Sequence, residues 1–261
     1  MVKRRLIPVL YIKNGLIVRS EDFKTHQLIG NVVNEASRYN DWQVDELIYI
    51  DISRDDAVDS GRDDHKIEAV SSKEDILSKI SGTCFMPLTF GGKIRTLEDV
   101  DFLIKNGADK VTLNTGALEN PQLIKQVSKK YGSQAVVLSI DYRLIDKKPV
   151  VFSTFGTVNT EIQIFDWIRE AELLGAGELF INAIERDGKG SGYDISTIGE
   201  VVSNTKLPVI ACGGAADEYD FLDLAEQTNV SGIAAGNWFH FVEHSYPRAK
   251  KLLKKNNIHV R

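Results

Sequence analysis

The chain is poor in cysteine: among 261 residues only Cys84 and Cys212 occur, alongside five histidines, two methionines and six prolines. Two thiols cannot build a disulfide framework or a thiolate metal cluster, and this usage suits a reducing cytoplasm. His240 and His244 are spaced i, i+4, but no third ligand accompanies them, so they read as a solvated face near the last helix and not as a metal site. Long apolar runs are missing as well. After the basic head Met1 to Arg5, the apolar stretch 6–12 is too short to cross a bilayer and lacks a small-residue cleavage signal. It reads as a strand, and no membrane association is expected. Positive charge is not in excess: Lys+Arg 32 against Asp+Glu 37 leaves −5 with no basic stripe, which removes duplex nucleic acid as a default partner. An acidic chain that handles anions must do so locally.

What is present is an ordinary globular composition, 43% hydrophobic and 26% charged, incompatible with disorder, collagen or coiled coil. Eight short apolar runs lie at 6–12, 46–52, 85–90, 110–113, 135–140, 177–183, 208–212 and 232–235, with helical patterns between them. Strands apolar nearly throughout, alternating with helices, indicate a buried parallel sheet. The punctuation agrees. Asn120 and Pro121 read as an N-cap and first helical residue, Gly107, Gly132 and Gly175 sit where helices should stop, and Leu97, Val100, Leu103 and Ile104 give one helix an inward stripe.

Half of the chain can be laid on the other half. Glu46-Leu-Ile-Tyr-Ile-Asp-Ile-Ser-Arg-Asp55 lies over Glu178-Leu-Phe-Ile-Asn-Ala-Ile-Glu-Arg-Asp187, Pro87 with Gly91-Gly92-Lys93 over Pro208 with Cys212-Gly213-Gly214, Asn114-Thr115 over Gly236-Asn237, and Leu10-Tyr11 over Ile140-Asp141. Two halves of four βα units each predict a single closed (βα)8 TIM barrel over residues 1–261, an open doubly wound sheet being the alternative. Function then sits on the loops that follow the strands.

Gly91-Gly92 and Gly213-Gly214 each follow a strand and precede a helix, where backbone N–H groups can approach an oxyanion. Either pair alone is as readily a plain turn; their repetition favours two phosphate cradles, completed by Asn114-Thr115-Gly116 and Gly236-Asn237. A ligand with a phosphate at each end fits that symmetry. Asp51 and Asp141 are expected at the C-terminal ends of their strands, placed for acid, base or hydroxyl-anchoring work, with a helix cap or a loop ion pair as the plainer role. Asp187-Gly188 reads as turn chemistry or as part of the rim. At the opposite end Arg5, Glu46, Lys110 and Glu178 open strands one, two, four and six, and two charges of each sign there can close a ring that serves stability alone. The polar segment 53–66 is expected to be a mobile rim loop.

Taken together, Asp45-Glu-Leu-Ile-Tyr-Ile-Asp51, Gly107-Ala-Asp-Lys-Val111, Gly132-Ser-Gln134, Ile140-Asp141, Gly175-Ala-Gly-Glu178, Arg186-Asp-Gly188, Ser191-Gly-Tyr-Asp194, Gly213-Gly-Ala215 and Phe239-His-Phe241 give a chain that resembles, nearly end to end, the cyclase subunit of imidazole glycerol phosphate synthase. The resemblance implies a barrel of the ribulose-phosphate-binding type that needs no redox or organic cofactor. It implies that a glutaminase partner of the class I amidotransferase type docks at the barrel bottom, and that ammonia crosses the core to a phosphorylated substrate on the upper rim. On that likeness Arg5, Glu46, Lys110 and Glu178 are an ammonia gate, and Asp109 belongs to the partner interface. Asp141 is a catalytic acid/base. Gly92, Asn114 and Thr115 hold one phosphate and Asp187, Gly188, Gly214, Gly236 and Asn237 the other, while Asp51 and Arg19 belong to the substrate rim, Arg19 as the basic residue of a mobile loop after the first strand.

The chain departs from the family at chosen places. Tyr11 stands where the first of two catalytic aspartates belongs, and a phenol with a reference pKa of about 10 is no carboxylate base. Lys93 replaces the third glycine of the first cradle, Glu185 an aspartate, and Lys189 a small hydroxyl residue. Conserving the gate while rewriting the rim matches cyclase-like relatives associated with sugar amidotransferases, which with a glutaminase-like partner supply ammonia for acetamidino sugars of surface polysaccharides such as lipopolysaccharide. A working histidine-biosynthesis cyclase and a non-catalytic barrel that activates its glutaminase are the two other readings.

Overall fold

The computed structural model describes residues 3–21, 25–53 and 73–261; the stretch 54–66 of the expected rim loop lies outside them. Eight parallel strands close a barrel: β1 (Arg5–Lys13), β4 (Leu47–Asp51), β5 (Leu88–Gly91), β6 (Lys110–Leu113), β7 (Val136–Ile145), β10 (Glu178–Ala183), β11 (Val209–Cys212) and β12 (Gly232–Ala235), with β12 returning to pair with β1. The four others extend two of these strands above the rim. β2 (Leu16–Glu21) and β3 (Thr25–Asn31) form a hairpin on the end of β1, and β8 (Lys148–Ser153) with β9 (Val158–Gln163) fold back on β7.

Closure needs a stagger, and β1 shows it. Arg5 to Pro8 pair with β12, whereas Val9 to Ile12 pair with β4. Pro8, which has no N–H to give, sits at the handover.

The period of two then sorts side chains into two cores. Ile7, Val9 and Tyr11 of β1 face inward with Ile48, Val137, Phe180, Ile210, Cys212 and Ala234. Leu6, Leu10 and Ile12 face outward into the larger layer beneath the helices, together with Leu47, Tyr49 and Phe90. On the side of β5 to β10 the interior is less apolar, with Thr89, Thr112, Ser139 and Asn182 all buried.

Three expected helix ends are seen: Gly107, Gly132 and Gly175 take φ of +106°, +85° and +96° after α3 (Leu97–Lys105), α5 (Gln122–Tyr131) and α6 (Ile164–Leu174). Val100 and Leu103 are buried as the stripe of α3 requires. Small corrections apply elsewhere. Pro121 itself caps α5, and Asn120 contributes its carbonyl to the Leu123 N–H at 3.0 Å without a side-chain cap. The third barrel strand starts at Leu88 because the chain joins the ladder only through the Pro87 carbonyl, which leaves Phe85 85% exposed. His240 is not on a solvated face: its side chain is buried, with Nδ1 3.3 Å from Glu35, and only His244 is exposed. No helix among the described residues is long and apolar enough to cross a membrane.

Candidate functional site

The upper rim holds a cavity of about 340 Å³ bounded by the ends of β4, β5, β6, β7 and β10. Asp51, Ser53, Gly92, Lys93, Asn114, Thr115, Asp141 and Asn182 line it, and Phe180, Thr112 and Ser139 form its floor inside the barrel. Each polar side chain is fixed by its strand. Asp51 ends β4, and its Oδ1 accepts the Ser53 N–H at 2.9 Å, turning the chain off the rim. Asn114 follows β6 and donates through Nδ2 to Asp141 at 2.9 Å. Thr115 accepts the Thr154 N–H at 3.0 Å, so the turn between β8 and β9 walls this side. Gly92 is required here: at φ +93° a side-chain Cβ would lie 2.0 Å from the Asp51 carbonyl oxygen. Lys93 also has a left-handed backbone, φ +56°, the conformation a glycine adopts without strain.

Asp141 and Tyr11 are both buried inward-facing residues of this upper layer. Burial raises the Asp141 carboxyl to a pKa of about 6, the Asn114 hydrogen bond restraining part of the rise. Such a carboxyl can give and take a proton near neutral pH. The same burial takes Tyr11 out of that range. Its burial, then its neighbours Asp187, Cys212 and Asp141, push the phenol well above its ordinary range, so it stays protonated.

The second set of predicted phosphate residues is placed differently. Asp187, Gly188, Gly214, Gly236 and Asn237 gather at the ends of β10, β11 and β12, but none of them lines the cavity. The hairpin strand β2 lies against two of them: Asn237 Nδ2 donates to the Ser20 carbonyl at 2.7 Å, and the same oxygen lies 2.3 Å from where a Cβ on Gly188 would be. Arg19 is turned away from the site. Its neighbour Val18 joins the inner core, whereas the Arg19 guanidinium lies 5.5 Å from the Phe241 ring centre and 3.5 Å from Glu21.

At the lower end the four expected charges meet. Arg5 bonds Glu46 at 2.5 Å and also bonds Glu178, while Lys110 reaches Glu46 at 3.0 Å and Glu178 at 2.8 Å, closing the ring. Thr89 donates to Glu46 at 3.0 Å from the next layer up. Burial acts against the Glu46 charge, but Arg5 and Lys110 outweigh it and hold its pKa below the usual range. Asp109, exposed beside this ring, accepts the Leu88 N–H at 2.8 Å.

Sequence reasoning missed Asn182, Thr112, Ser139 and Phe155 as lining residues. A signal for Asn182 existed: it stands four residues after Glu178 on one inward-facing strand, a lone amide in an apolar run.

The family described as histidine biosynthesis protein matches residues 5–245. The chain is 38% identical to the imidazole glycerol phosphate synthase subunit HisF of Staphylococcus saprophyticus, and 37% identical to those of Staphylococcus carnosus and Staphylococcus aureus (strain Newman). Each comparison covers all of this chain and at least 99% of the relative. The closed barrel and this end-to-end likeness place the chain in the histidine biosynthesis protein family, among cyclase subunits of the imidazole glycerol phosphate synthase type.

Proposed function

We propose that this barrel receives ammonia from a glutaminase partner at the charged ring and delivers it to a phosphorylated acceptor beside Asp141, and that it is specialised for sugar amidation in surface-polysaccharide synthesis instead of imidazole formation. The observation that carries the ammonia reading is the polar file above the ring. Thr89, Thr112 and Ser139 follow one another between Glu46 and Asp141, and the buried Thr112 Oγ1 has no hydrogen-bond partner. An unmatched hydroxyl inside a barrel favours a small molecule that donates and accepts hydrogen bonds. The ring supplies a neutral, closed port in which Arg5 and Lys110 each bridge both glutamates, and Asp109 lies on the face a partner would cover.

The specialised reading rests on Tyr11. Cyclisation as the family performs it uses two carboxylates, and the loss of one positioned acid/base lowers rate by roughly 10²–10⁴. One carboxyl of pKa about 6 on this rim, Asp141, suffices for a single proton transfer when an amine attacks. In this reading Gly92, Lys93, Asn114 and Thr115 seat a phosphate and Asp51 anchors a hydroxyl.

The test supplies an aminated bis-phosphate ribotide with ammonium salt, which bypasses any partner, and follows imidazole glycerol phosphate. Negligible turnover, raised by Tyr11→Asp, is expected; turnover like that of ordinary cyclases refutes the specialisation. The HisF names of relatives 37–38% identical favour that second reading, a histidine-biosynthesis cyclase. For the ammonia path, the complex with its glutaminase is given amide-labelled glutamine in unlabelled ammonium, and label in the aminated product is measured. Preferential labelling that survives Glu178→Ala and Lys110→Ala would show that the ring is no gate.

A further inference from the structure

The turn between β8 and β9, which borders the cavity, is a run of left-handed residues: Thr154, Phe155 and Gly156 take φ of +51°, +57° and +71° in succession. Glycine adopts that conformation without strain, whereas an aromatic residue is seldom found there. A strained backbone persists only where its surroundings hold it, and here they do. The Thr154 N–H donates to Thr115 Oγ1 at 3.0 Å, and the Thr154 carbonyl accepts from the Thr157 hydroxyl at 2.6 Å. The Thr157 N–H also donates to the Ser153 carbonyl at 3.1 Å, which closes the turn. Gly156 then lies so close over Ile184 that a Cβ would come 2.6 Å from its Cδ1. The outcome of this bracing is the placement of one aromatic ring. Phe155 lines the cavity while it packs, half-buried, against the inner core.

The same cavity holds a buried amide. Asn182 is 1% exposed, and neither its amide oxygen nor its nitrogen has a hydrogen-bond partner at good geometry, although it lies near enough to Asp141 to help restrain the rise of that carboxyl's pKa. A buried amide left in this way favours a ligand that both donates and accepts. Asn182 stands level with Asp141 in the pairing of β10 with β7, so the amide and the acid/base carboxyl share one layer. Asp51 and Asn114 add two more planar polar groups to the lining. An aromatic wall facing carboxylates and amides matches a sugar ring, which has an apolar C–H face and an edge of hydroxyls that donate and accept. An open chain with the same hydroxyls presents no flat apolar face and loses more freedom on binding.

We infer that Phe155 and Asn182 form a subsite for a sugar in its ring form, with the C–H face of the ring against Phe155 and a pair of its hydroxyls on the Asn182 amide. Phe155 is a specificity-determining residue on this account, and the strained turn serves to hold it over the cavity. The inference rests on the proposed delivery of ammonia to a phosphorylated acceptor and names the class of that acceptor: a cyclic sugar, lying between the loop at Gly92 and the Asp141 carboxyl.

The test titrates the full chain by calorimetry with glucose 6-phosphate, almost wholly a pyranose in water, and with glucitol 6-phosphate, its open-chain counterpart. The ring form should bind roughly tenfold tighter, and its proton spectrum should show upfield ring-current shifts confined to the hydrogens of one ring face. Phe155→Asn, a residue that tolerates the left-handed backbone, should abolish the preference by weakening the ring form alone, and Phe155→Tyr should keep it. Asn182→Leu, which preserves volume and removes the amide, should weaken the ring form by roughly tenfold. Equal affinities for the two probes, no binding of either at about 10 mM, or shifts spread over both faces overturn the inference. So does a Phe155→Asn variant weakened equally toward both probes, or an Asn182→Leu variant of unchanged affinity. Should Phe155→Asn fail to fold, the face-confined shifts on the parent chain still decide. Ammonia delivery is read independently by nitrogen labelling: ring preference intact with labelling lost refutes delivery alone, and labelling intact with no ring preference refutes the subsite alone.

Discussion

Replacing Asp141 with asparagine should make the folded chain more stable at pH 8 while abolishing proton transfer at the rim. The carboxyl is buried, and its pKa rises from 3.8 to about 6. At roughly 1.4 kcal/mol per tenfold change in proton affinity, the fold disfavours the charged form by about 3 kcal/mol. The sign follows from proton counting. Between pH 4 and 6, approximately, the native chain binds more protons at this site than the unfolded chain does, so its contribution is fully present below about pH 4 and is lost as pH rises through about 6. Asparagine carries no charge to bury, and its amide oxygen can accept the same Asn114 hydrogen bond. Urea titrations of both proteins at pH 4.5, 6 and 8 isolate the effect, because the other groups cancel in the difference. The variant should exceed the parent by about 1 kcal/mol at pH 4.5 and by about 3 kcal/mol at pH 8, the latter roughly 6 °C in Tm for a chain of this size. Activity should fall by about 10²–10⁴. A difference that does not change with pH, or an asparagine variant that is the weaker protein at pH 8, would refute the account of Asp141 as a carboxyl held near neutrality by burial.

Three further outcomes are expected. Gly92→Ala should cost more than about 3 kcal/mol by urea titration, since its φ of +93° and the Asp51 carbonyl 2.0 Å from the new Cβ leave no room, whereas Gly30→Ala, which meets nothing within 4 Å, should change stability by less than about 0.5 kcal/mol. Lys93→Gly should relieve a left-handed backbone at φ +56° and stabilise the fold by about 0.5 kcal/mol net of the added unfolded-state entropy, while phosphate affinity measured by calorimetry falls with the lost charge. Glu46→Gln should destabilise by about 3 kcal/mol at pH 7, because Arg5 and Lys110 would then share Glu178 alone. As Glu46 is held below its ordinary pKa, its contribution is present above the unfolded value and is lost as pH falls through the folded one, so parent and variant should converge in acid, and a gap that persists there contradicts the ring's electrostatics.

How far the sequence reaches depends on whether period two survives. Along β10 it does: Glu178, Phe180 and Asn182 share the inward face from the ring to the rim, so one glutamate placed at the bottom locates the amide at the top. The same parity links Arg5 to Tyr11 on β1, and the half-chain repeat puts Tyr11 opposite Asp141. Above the rim it holds along β2 and breaks on β3. The turn at Asn14-Gly15 pairs Val18 with Tyr11, and alternation along β2 then sends Val18 into the inner core and Arg19 to the opposite face, against Phe241. The pairing of β3 with β2 steps from Gly30 to Leu28 between Ile17 and Val18, a bulge that no local motif announces and that reassigns the faces of β3 beyond it. The approach of β2 to the ends of β10 and β12 is invisible for another reason: Ser20 reaches Gly188 and Asn237 only through the register of a hairpin whose strands are half polar, and a repeat in the sequence describes the two Gly-Gly loops as alike while a third segment packs against one side alone.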